Sequence, residues 1–314
     1  MAQVTSSVML RNRLKMRQLS LLAALGESPS LHKAAERLGM SQPAATRLLH
    51  ELEEMLCCPL FERTNRGLVA TDTGRLLVRH ATAFVAGIDK VYEDACLLRA
   101  GNTGSLRIGV STAARPDLVP QSVLALKQST PQIFVQIQDG GHADLLSSLM
   151  RGALDLVVGR APALDRESQI HFEPLYGEAF VVVAGISTRS TPQATRDCSL
   201  VELVDRPWIL PPSETALRKT IENQFVGLCG RLPTDVIDSV SVSTNLALLA
   251  QSRYVALMPK GIADYHAKRS QLRLLTSAVP NLSGTVGMMW MHGSQGQPQM
   301  VRLIKTLQDT CKDS

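Results

Sequence analysis

The fold of the N-terminal region is decided by one stretch, Ser30-Leu31-His32-Lys33-Ala34-Ala35-Glu36-Arg37-Leu38-Gly39-Met40-Ser41-Gln42-Pro43-Ala44-Ala45-Thr46-Arg47. Ser30 and Ser41 each stand where a hydroxyl can cap a helix, and Gly39 suits the left-handed residue that ends the first helix. Pro43 falls in the first turn of the second helix, where its missing N–H costs no hydrogen bond. The stretch therefore predicts two short helices joined by a tight turn.

The second of these helices has two unlike faces. Its buried stripe consists of Leu48, Leu49 and Leu52, and its other face carries Gln42, Pro43, Thr46, Arg47 and His50. In a helix-turn-helix the N-terminal end of such a helix enters the major groove of DNA, where amides and hydroxyls meet base edges. The pattern therefore predicts a DNA-binding helix-turn-helix.

Composition and charge set broader limits. A chain of 314 residues exceeds one comfortable domain and suggests two or three. The hydrophobic share of 45% and charged share of 19% indicate a globular protein. The net charge of +5 is compatible with a nucleic-acid partner without showing one. No uncharged apolar run reaches the roughly 18 residues of a membrane span, and no signal peptide is recognised. We expect a cytoplasmic protein with no membrane partner.

Other classes of protein lack their motifs here. The six cysteines (57, 58, 96, 198, 229 and 311) are scattered without Cys-x-x-Cys, which argues against a metal site and a disulfide framework. For the adjacent Cys57 and Cys58, a reduced pair is favoured over redox sensing. The chain has no Gly-x-Ser-x-Gly, Gly-x-Gly-x-x-Gly or P-loop. We therefore expect no catalytic residue and no cofactor, against the rival classes of an α/β enzyme or a transport-type solute-binding protein.

Residues 75–99 predict one long helix, which the stretch Gly101-Asn102-Thr103-Gly104 ends. Apolar residues recur along it in strict 4-3 spacing: Leu77, Ala81, Phe84, Ile88, Val91, Ala95 and Leu98. Such a heptad row favours a partner helix, and 25 residues at 1.5 Å per residue would span ~37 Å. We predict self-association through this row. The alternative is an ordinary amphipathic helix that packs on its own domain.

From Leu106 onward, short apolar runs alternate with helical patterns, which is typical of α/β domains with a largely parallel sheet. The predicted strands are Leu106–Val110, Ile133–Ile137, Leu154–Gly159, Ala179–Val183, Trp208–Leu210, Tyr254–Met258 and Thr285–Met291.

An ordered set of motifs continues beyond the helix-turn-helix: Pro59-Leu60-Phe61-Glu62-Arg63, Arg66-Gly67 and Thr71-Asp72-Thr73-Gly74. Together with Ala34-Ala35 and Ser41-Gln42-Pro43-Ala44, the set resembles the N-terminal signature of LysR-type transcription regulators over residues 17–80. The resemblance implies a winged helix-turn-helix, a linker helix for dimerisation, and an effector domain of two α/β lobes similar to a periplasmic binding protein.

The same resemblance suggests boundaries for these parts. They are 13–74 for the winged helix-turn-helix, 75–100 for the linker helix and 104–314 for the effector domain, with lobe I at about 104–172 and 280–314 and lobe II at about 173–279. The implied oligomerisation residues are Leu77, Phe84, Ile88, Val91 and Leu98.

The resemblance also carries residue roles to the DNA-binding region: Ser41, Gln42, Pro43, Thr46, Arg47, Arg63 and Arg66. Gln42, Pro43 and Thr46 match base-facing positions, Arg47 and Arg63 match phosphate contacts, and Arg66 matches a wing arginine that enters the minor groove. Two departures occur, because Thr46 stands where Ser is commoner and Cys57-Cys58 replaces the commoner Gly-Val. For Arg63 the alternative is a structural salt bridge with Glu62 or Glu53.

Ligands of open α/β sheets bind beyond the carboxyl ends of strands, beside helix N-termini that favour anions. That rule selects Ser111, Thr112, His142, Arg160, Ser213 and Asn245. Arg160 follows the run Leu156-Val157-Val158-Gly159, and its guanidinium can hold a carboxylate by two hydrogen bonds. The alternative for Arg160 is a salt bridge across the hinge. This run, with Ser252-Arg253-Tyr254, resembles the subgroup that includes regulators of galactose-binding-protein and protocatechuate genes.

These features predict a LysR-type regulator that controls transcription in response to a small effector, a small carboxylate or an aromatic acid. The partners implied are double-stranded operator DNA with inverted half-sites, a homo-oligomer built as a dimer of dimers, and RNA polymerase.

Overall fold

The computed structural model describes residues 7–64, 67–162, 169–186, 198–276, 279, 282–293 and 297–312. The chain divides into two compact units: the first comprises the residues up to Gly101 with the segment Met150–Ala153, and the second comprises the rest. Among the described residues, no helix is long and apolar enough to cross a membrane.

The N-terminal unit contains the two helices and the turn that the sequence predicts. Its first four helices are α1 Ser7–Arg13, α2 Met16–Glu27, α3 Leu31–Arg37 and α4 Gln42–Leu56. The Ser30 hydroxyl accepts a hydrogen bond from the Lys33 N–H, and Gly39 is left-handed at φ +62°, which confirms both predictions. The prediction for Ser41 is only half right, because Ser41 precedes α4 but its side chain makes no capping hydrogen bond.

A two-stranded wing follows α4 and is fixed to the turn before α3. Strands β1 Phe61–Thr64 and β2 Gly67–Ala70 pair antiparallel. The Leu68 N–H donates to the Pro29 carbonyl at 3.0 Å. A Cβ on Gly67 would lie 2.8 Å from the same oxygen, so this close approach needs glycine, as does the φ of +115° at that residue.

The entry to the wing contains one departure from the family pattern, Cys57. Cys57 caps the end of α4 in the left-handed conformation, at φ +54°, which is the conformation that favours the glycine commoner at this position. Glu53 Oε1 then accepts hydrogen bonds from the N–H groups of Leu60 at 2.8 Å and Phe61 at 3.3 Å. Glu53 of α4 thus holds the start of the wing in place, although Cys57 stands where glycine is commoner.

Helix α5, Asp72–Arg99, begins at the motif Thr71-Asp72-Thr73-Gly74. The Thr71 hydroxyl accepts from the Gly74 N–H at 3.0 Å. A Cβ on Gly74 would lie 2.0 Å from the Leu60 carbonyl oxygen, so a side chain there would push α5 off the wing. These contacts explain why the start of α5 needs a hydroxyl at Thr71 and glycine at Gly74.

The predicted heptad row of α5 divides into two parts. Ala81 is buried in the core of the N-terminal unit, and Leu77 is half-buried against that core. For Leu77 the structure therefore favours the alternative of packing on its own domain. The outer part of the row is exposed, with Phe84 at 63% and Val91 at 66% of their full areas, and Ile88 and Leu98 likewise.

The second unit is an α/β domain around one mixed sheet. Its strands are β3 Ser105–Ser111, β4 Phe134–Gly140, β5 Leu156–Arg160, β6 Ile170–Ala184, β7 Trp208–Leu210, β8 Val236–Asp238, β9 Val255–Pro259, β10 Arg273–Leu274 and β11 Ser283–Met291. Its helices are α6 Leu118–Ser129, α7 His142–Met150, α8 Leu200–Leu203, α9 Ala216–Cys229, α10 Val242–Gln251, α11 Lys260–Ala267 and α12 Pro298–Lys312. The strand order is β4-β3-β5-β11-β6-β9-β7-β8, with β10 beside β6.

Strand β6 passes from one lobe of this sheet to the other. Up to Ala179 it pairs with β11, and from Phe180 it pairs with β9. Separate apolar clusters cover the two halves, one built around Leu106 and Trp290 and the other around Trp208 and Phe225. The predicted lobe boundary near residue 172 falls inside the part of β6 that still pairs with β11.

The topology brings the ends of parallel strands together within each lobe. Strand β3 is parallel to β4 and β5, and β7 is parallel to β8 and β9. Each set therefore ends at one edge of the sheet, where the connecting loops and the starts of α7 and α10 supply polar groups.

Candidate functional site

The start of α4 presents an exposed polar face. Gln42, Pro43 and Arg47 are exposed, and Thr46 is half-buried. The Arg47 side chain has no hydrogen-bond or ion-pair partner among the described residues. The Thr46 hydroxyl donates to the Gln42 carbonyl at 3.0 Å, so toward a base it can act as an acceptor.

A groove beside this face is lined by two residues that are not among the sequence-predicted DNA contacts, His32 and Lys33. The groove has a volume of about 520 Å³ and lies between the start of α3, Gln42, and the wing residues Thr64 and Gly67. His32 and Lys33 line it and are exposed. The Lys33 ammonium has no partner among the residues that the structure describes. Both residues belong to the stretch quoted first and lie in α3, the helix that precedes the turn.

The predictions for the wing concern Arg63 as a phosphate contact and Arg66 as a minor-groove arginine. Arg66 and the side chain of Arg63 lie outside the described residues. The backbone of Arg63 pairs with Leu68 in the wing.

The second unit contains a cavity of about 370 Å³ at the carboxyl ends of its parallel strands. Five of the six predicted effector residues line it: Ser111, Thr112, His142, Arg160 and Asn245. Ser213 is not among the lining residues, and its exposed hydroxyl contacts Glu214 at 3.4 Å. Strand β7 continues into Pro211 and Pro212, which place Thr215 at the cavity instead.

Arg160 is anchored on one side only. Its Nε donates to Glu178 Oε2 at 2.8 Å, and its guanidinium carbon lies 4.8 Å from the centre of the Phe180 ring. Its two terminal nitrogens, Nη1 and Nη2, have no partner among the described residues. The alternative role and the predicted one are therefore compatible, since the ion pair to Glu178 orients the fork toward the cavity.

Glu178 is buried beside this arginine at the point where β6 changes partner. Burial raises the pKa of Glu178, and the charge and hydrogen bond of Arg160 oppose that rise. Its Oε1 has no hydrogen-bond partner among the described groups. No sequence motif pointed to Glu178, because its role depends on a contact across the sheet.

Two further lining residues hold unpartnered polar atoms. His142 Nδ1 and Asn245 Oδ1 are buried and have no hydrogen-bond partner among the described residues. Burial lowers the pKa of His142, and the positive charge of Arg160 lowers it further. Both effects favour the neutral imidazole of His142, and Arg160 carries the positive charge of the site.

Close packing brings together the ends of β3 and β5, which carry the lining residues Ser111 and Arg160. A Cβ on Gly159 would lie 2.8 Å from the Cβ of Ser111, so β5 can approach β3 this closely only with glycine at position 159. The Ser111 hydroxyl accepts from the Ala113 N–H at 3.2 Å. Packing against Ser111 therefore requires glycine at position 159, directly before Arg160.

On the opposite lobe, Arg218 organises the loops of the cavity wall. Its guanidinium donates to the Pro211 carbonyl at 2.9 Å, to Asp238 at 2.6 Å and to Glu222 at 2.7 Å. These bonds tie the ends of β7 and β8 to α9. The wall is thus preorganised, and the cavity as a whole offers one cationic fork among mainly apolar side chains.

Comparisons with known proteins agree with this architecture. The family described as "LysR substrate binding domain" matches residues 99–312. The family described as "Bacterial regulatory helix-turn-helix protein, lysR family" matches residues 16–75. The chain belongs to the LysR family. As a LysR-family regulator it is a DNA-binding transcription regulator with an effector-binding domain, and not an enzyme.

Individual relatives of this LysR-family regulator span most of its length. The HTH-type transcriptional regulator GbpR of Azospirillum brasilense is 33% identical over 255 residues, covering 81% of this chain and 74% of that protein. The HTH-type transcriptional regulator PcaQ of Agrobacterium fabrum is 30% identical over 312 residues, covering 96% of each. Full-length CbnR, solved in complex with its target DNA, shares the fold with a TM-score of 0.60 at 19% identity, covering 95% of this chain and 100% of that one.

Proposed function

We propose that this regulator responds to a small organic acid bound in the 370 Å³ cavity, and that the acid's carboxylate lies on Arg160. One observation carries the proposal: the Nη groups of Arg160 lack a partner while its Nε is fixed by Glu178. A guanidinium oriented in this way can form two parallel hydrogen bonds to a carboxylate. The regulator would act in the bacterial cytoplasm.

The chemistry of the other lining residues supports an anion over a neutral sugar. The hydroxyl of Thr215 donates to the Pro212 carbonyl and accepts from the Arg218 N–H. The Ser239 hydroxyl accepts from the Ser241 N–H. Thr215 is thus engaged as both donor and acceptor and Ser239 as an acceptor, and a neutral sugar would leave the charge of Arg160 without a counter-ion.

A thermal-shift screen of the full-length protein tests the proposal. Carboxylic acids, their neutral amides and sugars are compared at matched concentrations. A ligand at 100 times its dissociation constant should stabilise the protein by ~2.7 kcal/mol, and we expect this from acids but not from the matched amides. Equal shifts from an acid and its amide would contradict the carboxylate assignment, and stabilisation by sugars alone would replace it.

We propose further that the exposed part of the α5 row, from Phe84 to Leu98, joins two chains, and that two dimers form the working tetramer. Phe84, Ile88, Val91 and Leu98 are large apolar side chains that the single chain leaves exposed, and their spacing suits a partner helix. Two-fold symmetry would then require inverted DNA half-sites, and RNA polymerase would be the further partner.

Replacing Phe84 and Ile88 with Glu tests the assembly proposal. Charges in an apolar interface should reduce the assembly, as measured by light scattering of the full-length protein. The comparison variant is Leu77→Glu. It should lower the free energy of unfolding of the N-terminal unit instead, because Leu77 packs on that unit's own core. An unchanged mass for the double variant would remove the row from the interface.

A further inference from the structure

The cavity has a second polar position, remote in sequence from Arg160. Asn245 lies in the first turns of α10, and only 6% of its area is exposed. Its Oδ1 is buried without a hydrogen-bond partner among the described residues, although it belongs to a residue that lines the cavity. Buried acceptors without donors are rare in folded proteins, so this one indicates a place for a ligand's donor.

The wall around these two polar positions is mainly apolar. Its large apolar members are Phe180, Leu217, Val240, Val242, Leu257 and Met258. A ligand with many hydroxyls, such as a sugar, would bury those hydroxyls against this wall without hydrogen-bond partners, which would cost binding free energy. A flat apolar body, such as an aromatic ring, would not.

The charges of the cavity limit the number of carboxylates. Among the described residues that line it, Arg160 has the permanent positive charge, and the lowered pKa of His142 keeps that imidazole neutral. A second carboxylate would be buried without a cation, which is unfavourable. The ligand should therefore have one acidic group.

We infer that the effector is an aromatic monocarboxylic acid with a ring hydroxyl, whose carboxylate binds Arg160 and whose hydroxyl donates a hydrogen bond to Asn245 Oδ1. This inference rests on the proposed function, and it adds Asn245 as the residue that determines specificity. The cavity of about 370 Å³ is at the small end of the range for ligand sites, about 300–1,000 Å³, which suits a single substituted ring.

Calorimetry on the full-length protein tests the inference with benzoate, the three hydroxybenzoate isomers and their methoxy analogues. The isomer that reaches Asn245 should bind about 10-fold more tightly than benzoate, since one neutral hydrogen bond to a buried acceptor is gained. Its methoxy analogue cannot donate, and it should lose that advantage. This comparison needs no variant and stands even where a substitution harms folding.

The variant Asn245→Leu completes the cycle, because it removes the acceptor and keeps a side chain of similar size. We expect the preference for the hydroxylated acid to fall to about twofold or less while benzoate still binds. The control is Asn223→Leu, the same change at an exposed site on α9, which should keep the preference.

The possible failures are distinguishable. Equal binding of benzoate and every hydroxybenzoate, or a preference that survives in Asn245→Leu, overturns the inference and leaves the proposed carboxylate sensor intact. If none of these aromatic acids binds, the inference is overturned, and the wider acid screen then decides whether the proposed function fails with it.

Discussion

The start of α4 and the proposed effector cavity each present an arginine, and the two side chains are held differently. Arg47 is exposed and has no partner among the described residues. Arg160 is 31% exposed, and its Nε is fixed by the buried Glu178. An arginine without a protein partner can adjust its position to reach a DNA phosphate. A guanidinium held by an ion pair binds a carboxylate in one orientation. We therefore propose that Arg47 needs only its charge to bind a DNA phosphate, and that Arg160 needs its charge in a defined geometry to bind a small acid.

Arg160 should therefore show the largest effect of substitution. Arg160→Ala removes two charge-assisted hydrogen bonds of ~1.5–3 kcal/mol each, so acid binding should fall by about 100-fold or more. Arg160→Lys keeps the charge and loses the fork, and it should recover only a small part of the affinity. Calorimetry with the best acid of the screen measures both variants.

The control for Arg160 is Arg269→Ala, which removes an arginine that lies over the Tyr265 ring of α11, outside the cavity lining. Melting temperatures show whether each variant folds, because Arg160→Ala leaves Glu178 buried without its partner. Parental affinity in a folded Arg160→Ala protein would make this arginine structural and remove the anionic effector from the proposal.

Arg47 should behave differently if the comparison is right. Arg47→Ala should weaken binding to specific and random DNA alike by ~1.5–3 kcal/mol, the range for hydrogen bonds to charged groups. The slope of log affinity against log salt should fall by about 0.9, as expected for one phosphate contact. Arg47→Lys should keep most of the affinity, unlike Arg160→Lys. DNA titrations at several salt concentrations measure the affinity and the salt slope of each variant. The charge-matched control is Lys219→Ala, at an exposed position on α9.

Gln42 should affect sequence preference and leave random DNA binding nearly unchanged. An amide that contacts a base edge contributes ~1–3 kcal/mol of discrimination. Gln42→Ala should reduce by that amount the difference between a site selected from a random DNA pool and the pool itself. If Gln42→Ala and Arg47→Ala lose preference equally, the division between base and phosphate contacts is wrong.

Thr46 should have a smaller effect, and two variants show which of its groups matters. Its hydroxyl donates to the Gln42 carbonyl and can therefore only accept from a base, while its methyl group is the second candidate, for contact with a thymine methyl. Thr46→Val should then keep the preference for the selected site, and Thr46→Ala should relax it by about 1 kcal/mol or less. The reverse order in the same titrations would return the role to the hydroxyl.

The N-terminal unit was predictable from sequence because its determinants are local. Ser30, Gly39 and Pro43 act within one or two helical turns of themselves, and the structure confirms their positions. The α5 row was only partly predictable, since spacing alone does not distinguish Leu77, packed on its own unit, from the exposed Phe84.

The cavity was predictable where strand ends supply its residues and unpredictable where the contacts join distant segments. Ser111, His142 and Arg160 follow from the carboxyl ends of parallel strands. Glu178 and Arg218 do not, because their roles arise from contacts with partners on other elements. The place of Ser213 outside the cavity lining has the same origin, since Arg218 holds the Pro211 carbonyl in the loop after β7.

The smallest expected effect concerns pH and the imidazole beside Arg160. Burial, and then the charge of Arg160, lower the pKa of His142 below its usual 6.5 in the folded protein. As the pH falls below about 6.5, the unfolded chain binds a proton that the folded chain does not, so the free energy of unfolding decreases. His142→Gln cannot take up that proton and should show a shallower loss of stability between about pH 7.5 and 5.5. Unfolding by urea at several pH values measures both proteins, and a slope unchanged by His142→Gln would show that this imidazole titrates alike in the folded and unfolded states. An acid bound to Arg160 should reduce the same slope in the parent protein, because its carboxylate offsets the charge that disfavours a protonated His142.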